Sequence, residues 1–430
     1  VVIGSVAVTA TDPHATHRAI EAVWRIESAR VIGGLTRLVG DVGMAEELAQ
    51  DALLAALEQW PSAGVPPNPG AWLMATAKNQ AIDQLRRRTN YRRKLQLIGR
   101  DLTETADPDL ADAVDDQVGD DVLRLIFTAC NPILPTESRV ALTLRVLGGL
   151  RTDEIARALL VPESTVAQRI VRARRALTGV AFELPTPREM SERLAAVLAI
   201  IYLIFNEGYA ATVGDDWTRP ALCEEAMRLG RVLAGLAPAE SEVHGLVALM
   251  ELQASRLPAR TGPDGAPVLL PDQDRRRWDR LLIRRGLAAL DRVAELDGVF
   301  GPYALQAAIA ATHARALTYG ETDWDRIAAL YRVLAHVSPS PVVELNRAVA
   351  VGLAEGPAQG LAIVEALTGE KALAGYPQLA AVRADLLARL DRVAEARAEF
   401  ERAASLTRNE SERALFLGRA RALDQEPRSG

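Results

Sequence analysis

The chain has 430 residues, a formal net charge of −6 and only two cysteines. An acidic molecule is not a general binder of polyanions, so any affinity for nucleic acid has to come from local basic patches. Cys130 and Cys223 lie too far apart in sequence to suggest a disulfide framework or a metal site, and read as small buried hydrophobes. Ala, Leu and Arg recur while β-branched runs are few, and aromatics make up only 4% of the chain. This composition predicts an all-α protein of about two to four domains, with cores of Leu, Ala and Val.

The N-terminus lacks a basic segment followed by an apolar core, so no signal peptide is expected. Ala195–Phe205 is the most apolar run and is too short to cross a bilayer. A soluble, cytoplasmic protein without a membrane partner is the expectation.

Residues up to about His17 read as a loose tail. Arg18–Val39 is predicted as an amphipathic helix with Ile20, Val23, Trp24, Ile26, Leu35 and Leu38 inward, weakened in its middle by Gly33 and Gly34. Met44–Trp60 forms a second helix. Ala45, Leu48, Ala49, Ala52, Leu53, Ala56 and Leu57 line one face, and Glu46, Glu47, Gln50, Asp51 and Glu58 the exposed one. The proline-rich stretch Pro61–Gly70 is expected as a loop. A third helix runs from about Ala71 to Lys94. It starts at Trp72, carries Lys78 and Asn79, and ends in two basic clusters, Arg86, Arg87, Arg88 and Arg92, Arg93, Lys94. Such a helix suits backbone contact with nucleic acid plus stacking on exposed bases. Arginines complementing a helix macrodipole would give the same pattern, and the residues alone leave both readings open.

Residues 101–121 are acidic and lack a dense apolar pattern, as a flexible linker does. Val122–Leu147 resumes the helical periodicity, with Thr136 as the expected cap of a helix over Glu137–Leu147. Leu150–Leu177 then reads as two short helices, Asp153–Leu159 and one opening at Glu163, joined by a turn through Leu160, Val161 and Pro162. In the second, Val166, Ile170 and Ala173 face inward. Glu163 and Ser164 open it, and Thr165, Gln168, Arg169, Arg172 and Arg175 are left facing out. A basic second helix of this kind fits a DNA major groove, where Gln and Arg read base edges and further Arg hold phosphates. The competing reading is an αα-hairpin with a solvated basic face.

The two basic modules on either side of an acidic linker resemble the two domains of the extracytoplasmic-function (group four) RNA polymerase sigma factors. The family pattern D-x-x-x-A-E-E-L-x-Q-x-x-L, a tryptophan, and W-L-x-x-x-A-x-N-x-x-I-D-x-L-R-R-R stand here as Asp41–Leu53, Trp60 and Trp72–Arg88. The later pattern of the family matches Leu150–Leu177, and the resemblance covers about residues 18–180. It implies that Glu47, Gln50 and Asp51 dock on the clamp helices of core RNA polymerase. It implies that the Trp72–Lys94 helix opens the promoter −10 element, that loop 61–71 holds a flipped base, and that Glu163–Arg175 reads the −35 element. The linker, 96–121, resembles one that threads toward the polymerase active-site channel. One departure stands out: the family usually has Gly where this chain has Leu160.

The chain continues well past residue 180. Leu184–Pro187 is a candidate hinge, Glu189–Phe205 an apolar helix, and Arg219–Ala234 and Glu240–Ser255 two more amphipathic helices. Ile327–Tyr331, Leu361–Leu367 and Ala394–Phe400 recur at roughly the 34-residue tetratricopeptide period. Such stacks present a surface for a protein partner or for another part of the same chain; a packing scaffold is the plainer alternative. Asn206–Ala211 (NEGYAA) and Leu270–Trp278 (LPDQDRRRW) resemble characteristic segments of a sigma-factor subgroup with a long tetratricopeptide-type extension. The resemblance implies that the extension modulates activity in place of a separate membrane-bound anti-sigma factor.

Glu207, Asp215, Asp216, Asp272 and Asp274 could be drawn into a carboxylate site, but no nucleophile motif, phosphate loop or metal-ligand spacing accompanies them. Asp272, Asp274 and the adjacent arginines read instead as fasteners within the extension or onto the DNA-binding half. No catalytic residue, metal or cofactor is expected. The expected architecture is therefore a region-2-like domain (18–95), the linker (96–121), a helix-turn-helix domain (122–180), a helical extension (185–300) and tetratricopeptide-like repeats (301–425). The expected function is promoter-specific initiation with core RNA polymerase and promoter DNA as partners. The extension is expected to set the relative placement of the two DNA-binding domains. The alternative is a helix-turn-helix regulator with a tetratricopeptide sensor, which would have no need of a strand-opening helix.

Overall fold

The structure is a computed structural model that describes residues 13–98, 118–159, 161–211, 213–214, 217–263, 265–296 and 300–423. These residues are helical nearly throughout, as the composition predicts, and the chain divides into two compact units, Val1–Ile200 and Ile201–Gly430.

The first unit holds α1 (Pro13–Val39), α2 (Val42–Ala63), α3 (Pro69–Ile98), α4 (Val118–Ala129), α5 (Thr136–Val146), α6 (Thr152–Leu159), α7 (Glu163–Leu177) and the start of α8 (Pro187–Tyr209). α1 is already helical at Pro13, within the stretch expected as a tail. Ile20, Trp24, Val31, Ile32 and Leu35 form its buried stripe, whereas Ile26, expected inward, is 65% exposed. Ile26 lies two positions past Trp24 and so falls on the far side of the helix. Gly33 and Gly34 do not interrupt α1. A Cβ at Gly33 would sit 3.0 Å from the Asp121 carbonyl oxygen, and one at Gly34 2.8 Å from the Met74 methyl. Bare backbone at these positions lets α4 and α3 cross closely, which offsets a helix-propensity cost of about 1 kcal/mol per glycine.

α2 begins at Asp41, whose carboxylate accepts from the Met44 amide at 2.8 Å. It continues through Pro61 to Ala63, so the loop expected over Pro61–Gly70 is shorter than the prolines suggested. Proline's fixed φ suits a helix, and in the last turn it removes a single hydrogen bond. Gly64, at φ +85°, closes the helix with its amide donating to the Trp60 carbonyl at 2.8 Å. Asn68 then caps α3, accepting from the Ala71 amide at 3.1 Å. At α5, Pro135 takes the cap position expected for Thr136, and the Thr136 hydroxyl accepts from Arg139 instead. α8 starts after Thr186, whose amide and hydroxyl both donate to Glu189, so that carboxylate caps the helix start.

The second unit contains the remainder of α8, then α9 (Pro220–Leu236), α10 (Ser241–Ala254), α11 (Arg280–Leu296), α12 (Pro302–Arg315), α13 (Trp324–Val337), α14 (Pro341–Ala354), α15 (Pro357–Leu367), α16 (Pro377–Ala388), α17 (Val393–Leu406) and α18 (Glu410–Ala422). Proline opens five of those that begin in this unit, where its missing N–H costs nothing. From α9 to α18 each helix packs on its neighbour in sequence. From α13 onward, alternate helices start at intervals close to the tetratricopeptide period, at Trp324, Pro357 and Val393 and at Pro341, Pro377 and Glu410. Leu345, Leu361, Val364, Leu379 and Leu387 fill one seam of this array; Ala380, Ala384, Phe400, Ala403 and Phe416 fill the next. Two short strands, β1 (Val213–Gly214) and β2 (Arg408–Asn409), pair in parallel, and the Asn409 side-chain amide donates to the Ala211 carbonyl at 3.2 Å. The start of the unit is thereby tied to its last helical hairpin.

Close helix approach predicts two glycine substitutions of opposite sign. A Cβ at Gly360 would lie 2.6 Å from the Ala348 carbonyl oxygen and 2.8 Å from the Gly352 Cα, both backbone atoms. Gly360→Ala should therefore destabilise the fold by about 1–3 kcal/mol in urea unfolding. Gly418, inside α18, has nothing within 4 Å of a Cβ, so Gly418→Ala should stabilise by about 0.5–1 kcal/mol. A loss of stability in both would refute the packing account.

Candidate nucleic-acid and polymerase interface

The helix-turn-helix forms where the residues placed it. Ile155 and Ala156 of α6 and Val166, Ile170, Ala173 and Leu177 of α7 are buried against each other and against α5. The Val161 amide donates back to the Ala156 carbonyl at 3.1 Å, and the Thr165 amide to Pro162 at 2.9 Å, so the turn is closed by backbone bonds. Leu160, the departure from the family pattern, lies outside the described residues. At the start of α6 the Arg151 amide donates to Glu154 at 2.8 Å. The Arg151 side chain hydrogen-bonds Asp153 and holds its carboxyl below the usual range.

The outward face of α7 presents Glu163, Ser164, Gln168, Arg172 and Arg175 to solvent, with Thr165 and Arg169 half-buried. On α3, Leu73, Ala77 and Ala81 are buried, Lys78 is half-buried, and Asn79 and Arg86 are exposed. Trp72 is half-buried: its ring stands edge-on to the buried Trp60, with centroids 5.3 Å apart and planes at 69°. The side chains of Arg87, Arg88, Arg92, Arg93 and Lys94 lie outside the described residues, although the α3 backbone runs beyond them to Ile98. On α2, Glu47 and Asp51 are exposed and Gln50 is half-buried.

Glu46 overturns an expectation. Periodicity put it on the exposed face of α2, yet it is 0% exposed. Its Oε1 accepts from Arg145 Nε on α5 at 2.6 Å, and its Oε2 pairs with Arg174 on α7. Burying a lone carboxylate costs several kcal/mol, and two guanidiniums are what make it tolerable. The same seam is stitched at its edge by an Arg25–Glu154 pair at 3.2 Å between α1 and α6. Gly149, at φ +65°, brings the α5–α6 turn onto α1; a Cβ there would meet the Ser28 hydroxyl at 2.9 Å and the Trp24 ring at 3.3 Å. Between these contacts lies a cavity of about 210 Å³ with Trp24, Leu53 and Leu57 as apolar walls and Gln50, Arg145 and Glu154 as polar ones. A second ionic contact joins α4 to α1, where the buried Asp121 receives Arg37 at 3.0 Å and Arg124 at 2.7 Å. Sequence reasoning found the outward arginines of α7 but missed Arg145, Arg174 and Glu46, whose pairing spans about a hundred residues and leaves no local signal.

Two of the carboxylates considered for catalysis are engaged locally. Glu207 pairs with Arg219, and Asp274 caps a 3-10 turn over Arg275–Arg277 and pairs with Arg276 at 2.9 Å. Asp215 and Asp216 lie outside the described residues. Among the described residues no group of three or more His, Cys, Asp or Glu is placed to hold a metal ion, and no helix is long and apolar enough to cross a membrane.

Comparison with known proteins places these elements. Residues 25–91 match Sigma-70 region 2, residues 125–177 match Sigma-70 region 4, and residues 193–294 match a family of unknown function, DUF6596. An uncharacterized protein of Rhizobium meliloti is 46% identical over 93% of this chain and 94% of its own length. The ECF RNA polymerase sigma factor SigL of Mycobacterium tuberculosis is 32% identical, aligned over 35% of this chain and 82% of its own. The ECF RNA polymerase sigma factor SigW of Bacillus subtilis is 30% identical, over 33% of this chain and 77% of its own. With both sigma regions present in order and a long helical extension behind them, the chain belongs to the extracytoplasmic-function sigma factors, which direct core RNA polymerase to promoter DNA.

Proposed function

We propose the following division of labour within this sigma factor. The exposed face of α7 reads the −35 element: Gln168 and Arg172 contact base edges, while Glu163, Ser164, Thr165, Arg169 and Arg175 complete the groove and phosphate contacts. α3 engages and opens the −10 element through Trp72, Lys78, Asn79 and Arg86, with Arg87, Arg88, Arg92, Arg93 and Lys94 tracking the backbone. α2 docks on core polymerase through Glu47, Gln50 and Asp51. The working domains are 18–95 and 122–180, joined by the linker 96–121, with 185–300 and 301–425 as a regulatory extension that binds a protein or another part of this chain. The protein acts in the cytoplasm, and the chemistry of RNA synthesis belongs to the polymerase. The observation that carries this reading is the solvent-facing polar and basic side of α7, mounted on a helix-turn-helix.

The Glu46 seam adds a requirement. The −35 and −10 elements are separated by about 25 base pairs, or about 85 Å along B-form DNA at roughly 3.4 Å per step. α2 and α7 share one carboxylate, so the two readers cannot span that distance while the seam is closed. Opening the seam is thus part of promoter binding in this proposal.

Three measurements test it. In run-off transcription with core polymerase, Gln168→Ala and Arg172→Ala should each lower promoter-specific product about ten-fold, the worth of one base contact. Arg157→Ala, on the exposed side of α6, should not; equal loss in all three would sink the −35 assignment. Asp51→Arg should weaken co-purification with core enzyme while leaving the helical content unchanged. Glu46→Gln removes the charge that two guanidiniums share and should weaken the seam by about 3–5 kcal/mol. Small-angle scattering should then show a larger radius of gyration for residues 1–200 within the full chain, and an unchanged radius would count against a seam held by this carboxylate.

A further inference from the structure

Among its described residues, the second unit contains a cluster of cations without an anion. Arg256 follows α10, Arg260 lies just beyond it, and Arg275 opens the 3-10 turn over Arg275–Arg277. The Arg260 guanidinium stacks 3.7 Å from the centroid of Tyr209 and lies 5.4 Å from that of Trp217. Arg256 and Arg275 share the ring of Trp278, at 5.4 and 4.8 Å. Arg260 is 7% exposed and Arg275 is 6% exposed. Among the described residues, none of the three has a carboxylate within ion-pair distance.

Their neutral partners differ. Arg275 is held in place: it donates to the carbonyls of His313 and Ala316, each at 2.8 Å, and to the Thr322 hydroxyl at 3.0 Å. Arg256 has one long bond, to the Gln273 side chain at 3.3 Å. Apart from its contact with the Tyr209 phenol beside it, the Arg260 guanidinium has no hydrogen-bond partner among the described side chains and carbonyls. The indole N–H groups of Trp217 and Trp278 and the Nε of Arg275 are also buried without an acceptor. Burial works to raise the Tyr209 phenol pKa, but Arg256 and Arg260 outweigh it and hold the phenol below its usual range. The same positive surroundings, after burial, keep His313 neutral, its pKa pushed down to about 3.

Cation–π stacking offsets only part of the cost of burying a guanidinium with no anion beside it. The guanidiniums and indole N–H groups all seek an acceptor, and the Tyr209 hydroxyl and His313 Nδ1 are buried beside them without a partner at standard hydrogen-bond geometry. The complement it lacks is an acceptor with negative charge. We propose that this cluster binds an oxyanion, the carboxylate or phosphate group of a small ligand, with Arg256 and Arg260 as direct contacts and Tyr209, Trp217 and Trp278 as walls. Tyr209, Trp217 and Arg256 are half-buried, so the cluster reaches solvent through them. The site also accounts for two sequence stretches that promoter recognition leaves unused. Asn206–Ala211 supplies Tyr209 and Leu270–Trp278 supplies Arg275 and Trp278, and the two meet around Arg256.

The test uses the full chain, titrated separately with inorganic phosphate and with malonate. Binding is followed by calorimetry and by tryptophan fluorescence, against sodium chloride of equal ionic strength. Saturable binding of at least one probe is expected, and the stronger probe identifies the ligand class. In Arg256→Gln and Arg260→Gln the affinity should fall about ten-fold or more, as for a lost charge-assisted bond. Arg277→Gln, exposed and outside the cluster, should bind as the unaltered chain does. No saturable binding of either probe to the unaltered chain overturns the proposal without any variant having to fold. So does equal affinity in the unaltered chain and in well-folded Arg256→Gln and Arg260→Gln.

Discussion

A single buried carboxylate organises the first unit. Glu46 brings a negative charge into a site with no water contact, and such a charge is sustained only by close, well-aligned cations. Arg145 and Arg174 come from different helices, so satisfying Glu46 fixes α5 and α7 on α2 together. The turn at Gly149 then follows as the close approach to α1 that such a docking demands. Electrostatics of this kind is selective: hydrophobic surface alone would hold the same helices in many registers, whereas a two-cation, one-anion contact accepts very few.

The seam also explains why a DNA reader can belong to an acidic protein. Arg174, half-buried, is neutralised within the fold by Glu46, while Arg172 and Arg175 on either side of Ala173–Arg174 stay exposed. The basic run of α7 is therefore divided between holding the fold together and facing outward. That division follows from the helical repeat, since neighbouring residues point about 100° apart.

Much of this was readable from the residues. Strong periodicity with sharp stops marked α7, because Val166, Ile170 and Ala173 leave little choice of inward face and Pro162 fixes the start. The repeats from α13 to α18 were legible for a similar reason, as proline and small residues recur at matching places. What escaped depended on distant partners. Glu46 and Glu47 are chemically identical neighbours, and only α5 and α7 decide which is buried. Pro61 looked like a helix breaker because its rule concerns helix interiors, and at a terminal turn the penalty shrinks. Gly33 and Gly34 looked like a weak point until α4 and α3 supplied the reason for bare backbone. In the extension, Asp272, Asp274 and the adjacent arginines drew attention together as fasteners, and among them Arg275 makes the cross-links, because a guanidinium reaches three carbonyl or hydroxyl oxygens at once.

The pairing of β1 with β2 has a consequence for how the extension could have evolved. An open stack of helical hairpins lengthens or shortens by whole repeats, since each touches only its neighbours. Here Val213 pairs with Arg408 and Asn409 reaches back to Ala211, so the first and last parts of the array are neighbours too. Adding or deleting one hairpin would carry the two ends out of register with each other. The extension thus behaves as a body of fixed size, whose duplication or loss has to occur as a whole.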